Sequence, residues 1–346
     1  MSTGVITSDI FKRHDTGTHP ENLKRLDSIL NYVENKEVWK KVHKIPIRKI
    51  SKEELYTVHT PEYVSSVLEF CKKGGGRIDE DTVTCTESYE VAMMAAGSVL
   101  EAVDNVMENK LKKVFCLIRP PGHHALPDKT MGFCLFSNLS LGAIYAITKY
   151  NVERILVLDW DAHHGNGTER IFYKSNKVFT VSWHQYPFWP FTGNYTDIGI
   201  EEGLGYNLNI PIPEGFTDEI FVETFEKLVV PIANKYKPQL IILAAGYDAH
   251  WKDQLAGLNV TTPAYEYLSR RVIELAENLC EGKIIATLEG GYNLEALAEG
   301  VFSTLNLMEY PDFKLTEKFS REKENNRAAI TDLINNILDV HPFLKS

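Results

Sequence analysis

Short apolar runs recur along the chain at residues 114–118, 155–158, 178–181, 240–245 and 284–288, each bounded by polar or glycine-containing segments. Runs of this length without alternation read as strands buried on both faces of a parallel sheet. Between them lie longer stretches with helical spacing, at residues 89–109, 137–150, 217–236 and 263–280, the last with Thr262 as cap ahead of a helix-starting Pro263. Strands that alternate with helices imply an α/β fold: one parallel sheet covered by helices. Gly74, Gly75 and Gly76, followed by the acidic stretch RIDED, read as a loop with little regular structure. No internal repeat is visible. After Tyr310 and Pro311 the chain turns charged and then ends in an amphipathic pattern at residues 328–338. The expected organisation is therefore a single domain over residues 1–310, with residues 311–346 forming a helical tail packed on it.

Composition narrows this picture. At 346 residues and 44% hydrophobic content the chain can bury one large α/β core. Its net charge of −10 gives no basic stripe of the kind a nucleic-acid binder needs, so no direct nucleic-acid partner is expected. Cys71, Cys85, Cys116, Cys134 and Cys280 are scattered with no CxxC pair, which points to a reduced, cytoplasmic chain. The segment MSTGVITSDIFKRHD has no apolar signal core, and the apolar runs are too short for a bilayer, so no membrane role is expected.

In open parallel sheets ligands bind beyond the carboxyl ends of the strands. There the polar groups cluster: ILVLD is followed by WDAHHGNG, VFCLI by RPPGHHA, LIILAAG by YDAH and IIATL by EGGYN. Asp159, Asp161 and His163 are spaced by two, so they project to one side if the chain stays extended. Asp161 and His163 give half a metal site, and Asp248 supplies a third ligand, leaving a coordination position open as catalytic zinc needs. For any one such residue, capping a helix or satisfying a backbone amide is the commoner role; clusters at several strand ends together reverse that judgement. His123 and His124 follow the rigid Pro120-Pro121-Gly122 turn and suggest proton transfer. Asp159 could orient His123, and Asn166 could orient His124. Tyr292 follows two glycines, a setting from which a phenol can reach a bound carbonyl, although GGYN by itself is equally a plain turn.

At these residues the chain resembles the histone deacetylase and acetylpolyamine amidohydrolase family, of the arginase-like α/β fold, and is most similar to its class II and prokaryotic members. The likeness begins at HDTGTHPENLKRL and continues in family order through VHTPEYV, DTVTCTESYEVAMMAAG, RPPGHHA, MGFCLFSN, DWDAHHGNGTERIF, TVSWH, AAGYDAH and LEGGYN, over roughly residues 14–305. The resemblance implies an eight-stranded central sheet. It makes Asp161, His163 and Asp248 the ligands of zinc, with ferrous iron the alternative. Tyr292 would polarise the acyl carbonyl, His124 would act as general base and acid, and His123, paired with Asp159, would serve electrostatically. Asn166 stands where many class I members carry Asp, leaving His124 a neutral partner.

Phe133, with Gly132 beside it, and Trp189 match the aromatic walls of the family's substrate tunnel. Core packing is the commoner role of either aromatic taken alone. The resemblance also implies substrate contacts at Asp81, Leu255 and Gly291, and puts Arg25 in an internal channel. It further implies potassium or sodium at Asp159, Asp161, His163, Ser182 and Trp183, and again at Phe172, Ser175, Val178 and Tyr206.

The expected reaction is hydrolysis of acetyl-lysine, or another acyl-lysine, in a protein or peptide. A small acetylated amine such as an acetylpolyamine is the second candidate; Leu255 stands where polyamine-selective relatives carry an added carboxylate. A two-manganese, arginase-like centre would need more carboxylates than DWDAHHG and GYDAH provide. A pocket that binds acyl groups without turnover is the non-enzymatic alternative.

Overall fold

The computed structural model describes residues 3–315, 320 and 324–345. Its strands are β1 (Thr3–Ile6), β2 (His43–Ile45), β3 (Gly75–Arg77), β4 (Val83–Cys85), β5 (Lys113–Cys116), β6 (Ile155–Asp159), β7 (Val178–Gln185), β8 (Asn207–Ile212), β9 (Leu240–Ala245) and β10 (Ile284–Leu288). Eight of them form one sheet in the order β2-β1-β5-β10-β9-β6-β7-β8, and every pairing in it is parallel. The eight-stranded parallel sheet implied by the resemblance is thus present, flanked by helices.

Each expected apolar run is a strand, and its residues are buried because helices cover the sheet. Helices Ser88–Met107 and Asn138–Tyr150 pack on one another and lie against β5, β10 and β9, while Lys24–Val33, Leu294–Glu309 and Thr262–Cys280 pack in a continuous series. Tight contact between elements is set locally by glycine. A side chain at Gly97 would collide with the backbone of Arg48 and Ile50, so only a bare Cα lets that helix approach the preceding segment.

Two expectations need correction. Thr261, not Thr262, occupies the cap position of the helix Thr262–Cys280, and its side chain makes no capping bond; its hydroxyl instead donates to Asp218 Oδ2 at 2.7 Å. The triple-glycine and RIDED segment is more ordered than a plain loop, because β3 pairs antiparallel with β4 and closes it into a hairpin. Residues 217–236 form one helical stretch with a wider turn at Phe225–Val229 in its middle. In the C-terminal segment, helix Glu324–Val340 buries Ile330, Ile334 and Ile337 in the main core. No helix among the described residues is long and apolar enough to cross a membrane.

Register is what builds the site. Cys116 pairs with Thr287, Thr287 with Ala244, Ala244 with Asp159 and Asp159 with Ser182. This row crosses five adjacent strands at their carboxyl ends, so everything that follows in sequence emerges on one edge.

Candidate active site

Asp161, His163 and Asp248 each present one ligating atom, all within 4.8 Å of one another. Backbone amides hold the two carboxylates: Asp161 Oδ1 accepts from His163 N at 2.9 Å and its Oδ2 from Gly290 N at 2.7 Å, while Asp248 Oδ1 accepts from Ala162 N at 2.7 Å. His163 Nδ1 lies 2.9 Å from Asp248 Oδ2 and 3.3 Å from Asp161 Oδ1. Side chains at Gly246 or Gly290 would collide with these carboxylates, which explains bare backbone at both places.

Both acids are buried, and burying two carboxylates side by side is costly without a balancing cation. The strain shows in their protonation. Burial and the Asp161 charge raise Asp248 to about 7, whereas burial of Asp161 is outweighed by His123 and His163, which hold it well below the usual carboxylate range. Burial opposes a charged His163, but its bonds to Asp161 and Asp248 overcome this and lift it to about 10. Two oxygens and one imidazole nitrogen suit zinc or ferrous iron, so a divalent ion fits this set.

The two neighbouring imidazoles are driven in opposite directions. His123 Nδ1 lies 2.9 Å from Asp159 Oδ2; burial works against its charge, but Asp161 and Asp159 prevail and raise it to about 10. His124 Nδ1 lies 2.7 Å from the neutral Asn166 Oδ1. Burial, followed by the charges of His123 and His163, pushes His124 well below its ordinary value. One ring is thus held cationic and the other neutral, with centroids 3.9 Å apart. Their turn is pinned by Glu289, a fully buried carboxylate whose Oε2 accepts from Gly122 N at 2.7 Å and His123 N at 3.1 Å.

Above these groups is a cavity of about 240 Å³ lined by Asp81, His124, Gly132, Phe133, His163, Phe188, Trp189, Leu255 and Tyr292. A slightly larger recess of about 290 Å³, beside Leu100, Leu141 and Tyr145, contains no imidazole. Phe133 enters the first cavity from a tight reversal in which Gly132 and Phe133 both have positive φ, 56° and 68°. Such strain in a non-glycine residue persists only where surroundings fix it. Here Gly132 N donates to Asp81 Oδ1 at 3.2 Å and Phe133 N to Thr82 Oγ1 at 3.1 Å. A side chain at Gly132 would strike the His124 ring. Trp189 meets His124 edge-on at 4.8 Å, and Phe188 lies 5.4 Å from His163.

Tyr292 meets Phe133 at 5.7 Å with perpendicular rings, and burial keeps its phenol neutral, well above the ordinary value. Its backbone is fastened by Asp253, whose Oδ2 accepts from Tyr292 N at 2.6 Å and Asn293 N at 2.9 Å, and whose Oδ1 accepts from Leu255 N at 3.0 Å. Gly291 is not among the lining residues; its carbonyl accepts from Arg25 Nε at 2.7 Å. Arg25 also donates to Glu289 O and Glu21, and lies 5.0 Å from the Tyr292 ring centroid.

Of the residues assigned to monovalent ions, Asp159 and Ser182 border a small polar cavity beneath the site, shared with Glu169, Asn207 and Asn209. Trp183 is buried, its Nε1 donating to Thr224 Oγ1 at 2.9 Å. Phe172, Ser175, Val178 and Tyr206 gather at the opposite end of β7, where Phe172 O accepts from Ser175 N at 2.8 Å and Tyr206 O from Thr180 N at 3.0 Å.

A divalent-ion cluster, a neutral base, a cationic partner and a neutral phenol around one aromatic cavity form the equipment of a metal-assisted amide hydrolase. Comparison with known proteins agrees. The histone deacetylase domain model matches residues 19–308. This chain belongs to the histone deacetylase family. As a histone deacetylase family hydrolase it is 35% identical to a probable deacetylase of Archaeoglobus fulgidus, over 98% of this chain and 97% of that protein. It is also 35% identical to a histone deacetylase-like amidohydrolase of Pseudomonas aeruginosa, over 79% of this chain and 72% of the relative. The crystal structure of the HDA15 HD domain superposes with a TM-score of 0.88 at 29% identity, covering 99% of this deacetylase-family chain and 97% of that one.

Glu289, Asp253, Phe188 and Met131 were not singled out from sequence. Glu289 carried a usable signal, an acid directly after a wholly apolar strand. The other three carried none, because their importance lies in partners distant along the chain.

Proposed function

We propose that this chain hydrolyses the amide of acetyl-lysine, or another acyl-lysine, in proteins or peptides, releasing carboxylate and free amine. Asp161, His163 and Asp248 would hold zinc, or ferrous iron. The observation that supports this most is their meeting within 4.8 Å beneath a cavity whose wall includes His124 and Tyr292. A divalent ion held there supplies Lewis acidity to the acyl oxygen and to a water molecule. His124, kept neutral, takes a proton from the attacking water and delivers it to the leaving amine. Tyr292 donates a hydrogen bond to the acyl oxygen as negative charge develops there. His123, kept cationic by Asp159, adds positive potential without giving up its proton, and Asn166 holds the second nitrogen of His124.

Phe133 and Trp189 clasp the methylene stem, with Gly132 and Gly291 leaving room for it, and Asp81 accepts from the substrate backbone. Potassium or sodium is assigned to Asp159, Asp161, His163, Ser182 and Trp183, and to Phe172, Ser175, Val178 and Tyr206. The catalytic unit is residues 1–310, with 311–346 as a tail of the same domain. All five cysteines are free, in keeping with work in the reducing cytoplasm.

Lysine is favoured over acetylpolyamine by two observations. Leu255 lines the cavity, and both oxygens of nearby Asp253 are taken by backbone amides rather than offered to a second ammonium. The test is a panel of acyl-lysine peptides and acetylspermidine, assayed on chelated protein reloaded with zinc or ferrous iron. Metal-dependent release is expected, greatest on an acyl-lysine peptide, and Tyr292→Phe should lower kcat by about 10²–10³. A Tyr292→Phe protein with undiminished turnover, or a wild type that binds acyl groups and never cleaves them, would overturn the assignment.

A further inference from the structure

We infer that Met131 is a positioning residue: its thioether selects the amide orientation of Asn166, and through it the tautomer in which His124 can serve as a base. The inference rests on the deacylase reading for its functional consequence, but its structural half stands apart from that reading.

Asn166 bridges two side chains. Its Oδ1 lies 2.7 Å from His124 Nδ1, and its Nδ2 donates to Met131 Sδ at 3.3 Å. A carboxamide turned end for end occupies almost the same volume, so packing alone does not choose between the two orientations; hydrogen-bond partners do. The imidazole is indifferent, because a neutral ring can present Nδ1 as a donor or as a lone pair. The thioether is not: sulfur bonded to two carbons can only accept. It therefore draws the NH₂ end of Asn166, which leaves the amide oxygen facing His124. That oxygen requires Nδ1–H, and on a neutral ring the lone pair must then be on Nε2, the nitrogen left for the cavity that His124 lines.

The reversed amide would set oxygen lone pairs against sulfur lone pairs. It would also donate into Nδ1 and place the proton on Nε2, where a base needs a lone pair. A carboxylate at position 166 would accept at both ends and would need no such selection, so the requirement for Met131 is tied to Asn166.

Met131 is well fixed for this task. Its backbone exchanges hydrogen bonds with Cys134 across the reversal, 3.4 Å from its N and 3.0 Å to its O. It borders a neighbouring recess with Thr130 and Lys129 and is not among the residues lining the 240 Å³ cavity, so changing its side chain leaves the substrate walls in place.

The experiment compares Met131→Leu, which keeps the bulk and removes the acceptor, with Met131→Gln, which restores an acceptor as a carbonyl. Both are made in the wild-type background and in Asn166→Asp. The first readout is the ¹⁵N spectrum of histidine-labelled, metal-free protein, with the His124 signals assigned by their loss in His124→Ala. The second is kcat and KM on an acetyl-lysine peptide. Met131→Leu should shift His124 from the Nδ1–H form to a tautomer mixture and lower kcat about fivefold to tenfold at unchanged KM. Met131→Gln should recover most of both, and in Asn166→Asp the Met131→Leu change should have no effect on either. The inference fails if Met131→Leu leaves the Nδ1–H signature and kcat intact, or if it costs as much in the Asn166→Asp background as in the wild type. If the tautomer responds as described but wild-type protein never cleaves an acyl-lysine amide, the positioning role stands and the deacylase reading falls.

Discussion

Replacing Asp253 by Asn probes how firmly the Tyr292 loop must be held. The carboxylate takes three amide hydrogens, two on Oδ2 from Tyr292 and Asn293 at 2.6 and 2.9 Å and one on Oδ1 from Leu255 at 3.0 Å. Hydrogen bonds to a charged group are worth roughly 1.5–3 kcal/mol each, against roughly 0.5–1.5 kcal/mol for neutral pairs. Asparagine with its oxygen toward Tyr292 keeps two of the three as neutral bonds and turns its NH₂ against the Leu255 N–H, so a local loss of roughly 2–4 kcal/mol is expected. Alanine would orphan all three donors, which puts global folding at risk and makes Asn the sharper probe. The metal ligands are untouched, so zinc content should match the wild type. A phenol displaced by about 1 Å costs on the order of 10²-fold in rate, and kcat on an acetyl-lysine peptide should fall by about 10- to 100-fold with a smaller change in KM. Acetylspermidine turnover should fall in proportion. Wild-type kcat in Asp253→Asn would refute the clamp; selective loss of acetylspermidine would show instead that this carboxylate recognises a cation.

Gly290→Ala should weaken zinc binding by about 10- to 100-fold, because a Cβ there collides with the Asp161 and Asp248 carboxylates; competition against a zinc chelator measures it, and unchanged affinity refutes the crowding argument. His59 predicts an acid limb in stability. Its buried ring accepts from Ser137 N through Nε2 at 2.9 Å, a bond only the neutral form can make, and burial lowers its pKa to about 4. The unfolded chain takes up a proton near pH 6.5 and the folded one only near 4, so this contribution is complete above pH 6.5 and is lost as pH falls toward 4, a change of roughly 3 kcal/mol. Urea midpoints at pH 7.5 and 4.5 should show His59→Gln losing less stability than wild type; parallel losses would contradict the assignment.

The sequence announced elements in proportion to how plainly their burial was written in apolar residues. β6 and β9 are apolar runs and were legible; β8, NLNIPI, was not, although all of it is buried. Asn207 and Asn209 mask the pattern, and they tolerate burial because both donate to Glu169 Oε2, at 2.7 and 2.6 Å. Pro211 argues against a central strand, and β8 in fact lies at the sheet edge, where a missing amide hydrogen is harmless. β1 and β2 are too short to show a period. The helix Pro61–Lys72 did carry a readable start, since Thr60 accepts from Tyr63 N ahead of Pro61.

The site was more legible than the fold that carries it, and parallel geometry explains why. Strand order could not be read: β5 lies beside β10, although residues 113–116 and 284–288 stand far apart in the chain. Any order of parallel strands nevertheless puts their carboxyl ends on one edge, so a list of strand-end residues survives ignorance of the order. Distances do not survive it. Asp161 meets Asp248 because β6 and β9 are adjacent, and Glu289 reaches Gly122 because β10 and β5 are. Residues that act on substrate therefore show in their own motifs, while Glu289, Asp253 and Met131, which hold those residues in place, become visible only once the neighbours are known.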